Sequence, residues 1–398
     1  MWSADRAWDR RLAIYIHWPF CVSKCPYCDF NSHVATKIDQ SRWQRALLQE
    51  LDHFADRIGG QTGGHIVTSV FFGGGTPSLM EPYVAASLIA AVQARWPVAE
   101  DLEVTLEANP SSVEASRFAA LRQAGVNRLS VGVQSLDDTV LKFLGRPHSA
   151  AEARAALDTA TACFARFSLD LIYGWTGHTV QRWRQDLTEA MSLAGEHVSA
   201  YQLTIEPGTP FYRDRTATAD EDTMADLYGA TADVLATADL AAYEISNYAR
   251  PGAECRHNRA IWQGSDYIGI GPGAHGRLTE GGVCHAVQQH RLPDRWLKTV
   301  ESRGHGTARQ QPLSRRERRE ELLLLGLRLT DGIERNRFRA FTGLEVEKAV
   351  DERGLERVRD WGLVILDNRG LRVTPSGRLL LDAVLRELLV RCHRGYAG

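Results

Sequence analysis

The sequence predicts an α/β protein, built as a barrel or partial barrel of βα units with a smaller, mainly helical tail. Two observations carry that expectation. Over about the first 275 residues, short β-branched runs alternate with amphipathic helical stretches, the pattern of consecutive βα units around a parallel sheet. Beyond Arg277 the alternation stops, and helices with one small hairpin follow. A chain of 398 residues, 44% hydrophobic and 24% charged, is long enough for one large domain and a smaller one, and its composition excludes disorder as the main state.

The first strand is expected over 12–18. A helix follows over 39–58, where Leu47, Leu48, Leu51 and Phe54 recur at helical spacing on one face. Further strands are expected at 66–72, 102–107, 128–133, 167–173, 198–205 and 242–245, each trailed by a helical stretch. Six or seven such repeats imply a barrel whose functional groups gather at the C-terminal ends of the strands. Residues 280–312, rich in His, Gln, Gly and Arg with little periodicity, are expected to form a connection. Ser314 with Glu317 is a capping-box pattern opening a helix over 315–329. Residues 364–366 and 371–373 flank Asp367-Asn368-Arg369-Gly370, a hairpin signal, and Pro375 opens a last helix, so the tail is expected to be winged-helix-like. The domain division that follows is 1–277, 278–313 and 314–398.

The 47 basic and 49 acidic residues nearly cancel, which leaves no overall field for nucleic acid or anionic lipid, and no basic recognition helix stands out. Nucleic acid is therefore not an expected partner. No apolar run reaches the length needed to span a bilayer, and the first residues alternate Trp, Asp and Arg where a signal peptide needs an apolar core, so a cytoplasmic protein is expected. Seven cysteines, an odd and unevenly spread number, argue against a disulfide framework. Cys163, Cys255, Cys284 and Cys392 lack metal spacing and are expected to be reduced thiols.

Chemistry concentrates at strand ends. Cys21, Cys25 and Cys28 form C-x3-C-x2-C directly after the first strand, a spacing that wraps three irons of a four-iron cluster and leaves the fourth open. A zinc site completed by His17 or His33 is the alternative at this point. Tyr27 beside the last thiol is placed to shield a cluster or stack on a flat ligand. Gly73, Gly74 and Gly75 with Thr76 and Pro77 close the second strand, where glycines let backbone approach a ligand and offer it N–H groups. Glu107 ends the third strand, Gln134 the fourth, and Asp170 lies in the fifth. A carboxylate suits ribose hydroxyls or an amine, and an amide both donates and accepts. Taken singly each could serve an internal hydrogen bond; together they suggest a ligand across the barrel mouth. His257 and Trp262 lie five positions apart in an expected loop after the last barrel strand, joining an imidazole to an aromatic platform.

These residues stand in a longer pattern. Tyr-Ile-His-Trp-Pro-Phe-Cys-Val-Ser-Lys-Cys-Pro-Tyr-Cys-Asp-Phe from Tyr15, followed in order by Gly-Gly-Gly-Thr-Pro-Ser, Glu-Ala-Asn-Pro, Ser-Val-Gly-Val-Gln-Ser and Asp-Leu-Ile-Tyr-Gly, resembles the radical S-adenosylmethionine (SAM) proteins related to oxygen-independent coproporphyrinogen III oxidase. The resemblance implies a partial (β/α)6 barrel with a [4Fe–4S] cluster on Cys21, Cys25 and Cys28, its open iron chelated by SAM. Carried over by motif, Tyr15, Tyr27, Gly74, Gly75, Thr76, Glu107, Gln134, Arg146 and Asp170 line the SAM pocket. The oxidases carry a further Cys two residues after the third ligand, where this chain has Phe30. The heme chaperone subgroup, HemW, lacks that Cys and has His-Asn-x-x-Tyr-Trp, near to the run from His257 to Trp262 with Ile261 in place of Tyr. Trp175-Thr176-Gly177-His178 also departs from the family's usual Leu-Pro-Gly-Gln. The expectation is thus a heme chaperone with a cluster, SAM and heme as cofactors, His257 and Trp262 contacting heme at the open mouth, and apo-hemoproteins as acceptors. The competing expectation is coproporphyrinogen III oxidation by a SAM-derived radical. Recruitment to a membrane through a partner, and monomer against dimer, stay open.

Overall fold

The computed structural model of the chain describes residues 10–389. Six strands, β1 (Arg11–Trp18), β2 (Ile66–Gly74), β3 (Val98–Ala108), β4 (Arg128–Gln134), β5 (Arg166–Tyr173) and β6 (His197–Gln202), pair in parallel in sequence order. A seventh, β7 (Asp266–Ile270), pairs in parallel with the other side of β1. The sheet does not close on itself, so the barrel is partial as expected.

Helix α1 (Gln40–Ile58) shows how local signals set the βα units. Asp39 caps it by accepting from the Arg42 N–H at 3.0 Å, and Gly59 ends it at φ 80°, a left-handed conformation that costs glycine little. Leu47, Leu51 and Phe54 pack into the barrel core with no exposure above 1%, while Leu48 is only partly buried at the edge of that face. One member of the buried face is not apolar: Glu50 is fully buried.

The stretch 280–312 is not a connection. Strand β8 (His275–Glu280) leads into it, and the stretch itself contributes β9 (Val283–Gln289), β10 (Thr307–Pro312) and the helix Pro293–Arg303; the three strands extend the same sheet beyond β7 in antiparallel order. Antiparallel strands with one wet face need only alternate apolar residues, so His, Gln and Arg are tolerated and no apolar run marks them. The strand expected at 242–245 shortens to Ala241–Ala242, because the Glu244 carboxylate turns back to accept from the Ser246 N–H and the Asn247 amide at 2.7 and 2.6 Å. Asn247–Ala249 pairs antiparallel with β6 on one side and with Ala241–Ala242 on the other.

The tail behaves as its caps predict. Ser314 and Glu317 form a reciprocal capping box on the helix Arg315–Gly326, and Asp367 accepts from the Arg369 N–H to turn the hairpin Val364–Leu366 and Gly370–Val373. With Ile333–Glu334 these make a three-stranded sheet over a core of its own, including Leu323, Phe338, Val358 and Val384. Among the described residues no helix is long and apolar enough to cross a membrane.

Candidate functional site

The strand ends of β1 to β6 surround a cavity of about 990 Å³. Beyond β1 the chain forms a short strand, Phe20–Cys21, that pairs with His33–Val34 and so closes a loop holding all three clustered cysteines. That loop is pinned from both sides. The Gly75 and Thr76 N–H groups donate to the Trp18 and Phe20 carbonyls at 2.7 Å each, and the Asn31 amide donates to the Pro272 and Arg291 carbonyls at 2.9 Å each. His17 bridges inward, one ring nitrogen on the Tyr15 hydroxyl and the other on the Asn31 carbonyl, so neither is free for a metal.

Cys21, Cys25 and Cys28 carry free thiols and all line the cavity. Thr76 Oγ1 donates to Cys21 Sγ at 3.4 Å, and the Arg146 guanidinium donates to Cys25 Sγ at 3.4 Å. Arg146 is itself braced on the Asn109 side chain at 2.6 Å and the Gly132 carbonyl at 2.8 Å, and its Nε is buried without a partner. Burial pushes the Cys21 and Cys28 thiols above their ordinary pKa, opposed by hydrogen bonds that favour the thiolate. Among the described residues no three His, Cys, Asp or Glu side chains gather tightly enough for a single metal ion.

The glycine run works differently from the expectation of free N–H donors. Gly74 donates to the Glu107 carboxylate at 3.1 Å, and the Gly75 and Thr76 donors are spent on the cysteine loop. What glycine supplies here is space: a Cβ on Gly74, which sits at φ 116°, would lie 2.5 Å from the His17 ring, and one on Gly75 would lie 2.6 Å from the Phe20 carbonyl oxygen. Burial lifts Glu107 to about 7, with Asp170 adding to the rise and the Gly74 N–H opposing it. Asp170, also raised by burial, is held by the Ser130 and Ser168 hydroxyls at 2.7 and 2.8 Å. Gln134 lines the same cavity at φ 67°, a left-handed conformation costly for a non-glycine residue and concentrated at functional sites.

Residues 256–262 are a helix, not a loop, and the expectation that His257 and Trp262 share the mouth is corrected. Five residues on a helix place two side chains on different faces. His257 is buried in the cavity floor, its Nδ1 3.3 Å from Ser69 Oγ and its ring 4.9 Å from that of Phe71. Burial drops its pKa to about 3. Trp262 lies under the Arg328 guanidinium, 4.6 Å from the ring centroid, and does not line the cavity. The floor also holds groups the sequence did not flag: Arg128, His197 and Ser199. His197 links the Ser168 hydroxyl to the Tyr243 hydroxyl at 2.8 and 3.0 Å, deep inside the barrel. Polar residues interrupting strand runs, such as Arg128 at the start of β4, were the available signal.

Residues 15–190 match the model of the radical SAM superfamily, and residues 313–380 match the HemN C-terminal domain. The chain is 36% identical to the heme chaperone HemW of Escherichia coli (strain K12), covering 95% of this chain and 98% of that one. The chain belongs to the HemW family of radical SAM proteins. Another relative, the mitochondrial radical S-adenosyl methionine domain-containing protein 1 of Bos taurus, is 40% identical over 98% of this chain and 89% of its own. The fold is shared with E. coli coproporphyrinogen III oxidase (HemN), at a TM-score of 0.80 and 23% identity over 96% of this chain and 91% of that one. Radical SAM membership makes SAM and a [4Fe–4S] cluster the cofactors of this HemW-family fold. The donor set agrees: three thiols at one wall, charge-stabilising donors from Thr76 and Arg146, and a glycine cradle that a side chain would fill.

Proposed function

We propose that this chain is a heme chaperone that binds heme and passes it to apo-hemoproteins, working in the cytoplasm with a SAM-chelated cluster on Cys21, Cys25 and Cys28. The observation that carries the reading is the likeness to the E. coli heme chaperone along nearly the full length of both chains. When bound, the cluster supplies an iron with an open position for the amino and carboxylate groups of SAM. Arg146 and Thr76 stabilise thiolate charge at Cys25 and Cys21 by the hydrogen bonds they already make. Tyr27, kept protonated by burial, covers the cysteine wall from beside Arg146. Glu107 and Asp170 offer acceptors to the amine and ribose hydroxyls of SAM, Tyr15 backs Gly73, and Gln134 supplies a donor and an acceptor.

Asp170 gives the sharpest test of that pocket. Asp170→Ala removes an acceptor already oriented by two serines, so SAM affinity should fall by about 1.5–3 kcal/mol, the scale of a hydrogen bond to a charged group. Calorimetry on anaerobically reconstituted protein measures this directly, and unchanged affinity refutes the assignment.

A second reading, coproporphyrinogen III oxidation, is favoured by the fold shared with HemN. Phe30 argues against it: the side chain is 59% exposed and brings no thiol to the position where the oxidases carry one. The chain is therefore expected not to rescue a strain lacking the anaerobic oxidase. Rescue would overturn the chaperone reading, provided a Cys21→Ala control fails to rescue.

A further inference from the structure

Behind the cysteine loop lies a second concavity, separate from the barrel mouth. It is about 830 Å³ in volume, within the range of small-molecule sites, and runs between the short strand His33–Val34 and the helix Pro293–Arg303. Phe20, Leu292 and Pro293 give it apolar walls, and Leu292 is 61% exposed. Arg295, Lys298 and Arg303 line it as cations, against the single acid Asp294.

Two histidines, His33 and His290, line this groove, and the His33 Nε2 is buried without a hydrogen-bond partner. Four other histidine rings, those of His17, His148, His197 and His257, are held by hydrogen bonds inside the barrel. Neither His33 nor His290 makes a ring hydrogen bond among the described residues. Partial burial, with Lys24 and Arg291 near His33 and Arg295 and Arg303 near His290, favours the neutral ring that ligates a metal.

We infer that this groove is the heme-docking site, with His33 or His290 ligating the iron, the apolar walls covering a porphyrin face, and Arg295, Lys298 and Arg303 pairing with the propionates. The inference rests on the heme-chaperone reading and places the ligand away from His257. It also gives the cysteine loop a part in heme binding. Phe20 lines the groove while the next residue, Cys21, lines the cofactor cavity, and Phe20 pairs with His33 across the loop.

The test is a titration of hemin into the full-length protein, followed at the Soret band, with iron-free protoporphyrin IX as a second probe. The double variant His33→Ala/His290→Ala should bind hemin about tenfold more weakly or worse and lose the imidazole spectral signature, with protoporphyrin IX little affected. Arg295→Glu/Lys298→Glu, at two exposed positions, should weaken both probes, because both carry propionates. If wild type binds hemin and both double variants keep its affinity and spectrum, the groove is overturned and the chaperone reading stands. Failure of wild type to bind hemin overturns both. Where circular dichroism shows the histidine variant misfolded, the charge variant decides alone, and unchanged affinity for both probes overturns the site.

Discussion

Replacing Cys21, Cys25 or Cys28 singly with Ala is expected to abolish the broad brown absorption of anaerobically reconstituted protein, together with its bound iron and acid-labile sulfide. Each thiol carries one iron of the cluster. The Thr76 and Ser32 hydroxyls and the Arg146 guanidinium hydrogen-bond these sulfurs but cannot replace a thiolate on iron, and both nitrogens of His17 are already engaged. The fold should survive, because the loop is held through backbone and Asn31 contacts that do not involve sulfur. Circular dichroism on each variant checks this. Stoichiometric zinc without acid-labile sulfide in anaerobically prepared wild type would sink the assignment.

The largest stability effect is expected at Glu50. Its carboxylate, fully buried on the core face of α1, accepts from the Gly271 N–H at 2.8 Å, the Gly306 N–H at 2.6 Å and Trp296 Nε1 at 3.0 Å. Glu50→Ala strands three buried donors at once, so the unfolding free energy should fall by about 3 kcal/mol or more. The effect reaches the site, because Gly271 begins the turn whose Pro272 carbonyl holds Asn31 on the cysteine loop. Burial raises the Glu50 pKa to about 7, opposed by these N–H donors. A carboxyl that binds its proton more tightly when folded contributes most stability below its unfolded pKa, and that contribution is lost as pH rises through about 7. Urea unfolding of wild type between about pH 4.5 and 7 should show this slope, and Glu50→Gln should flatten it while costing less than Glu50→Ala. A Glu50→Ala variant as stable as wild type refutes the account.

What the sequence determined by itself was local. The C-x3-C-x2-C spacing brings three thiols into one loop whatever surrounds it, and Asp39, Ser314 with Glu317, and the turn from Asp367 to Gly370 set element ends within a few residues of themselves. The same holds for Glu107, Gln134 and Asp170, since alternation of strand and helix suffices to bring strand ends to one mouth. Tertiary structure decided everything that depends on a distant partner. Glu50 sits in an apolar stripe, yet its donors come from more than 200 positions away. The N–H groups of Gly74, Gly75 and Thr76, free to a reader of the sequence, are consumed by Glu107 and the Trp18 and Phe20 carbonyls. His257 and Trp262, neighbours in sequence, part company because the segment coils into a helix with one face on the cavity floor and the other under Arg328. The cause is the same each time: periodicity and caps are written in adjacent residues, whereas a buried polar group is satisfied by whichever strand or turn the fold brings against it.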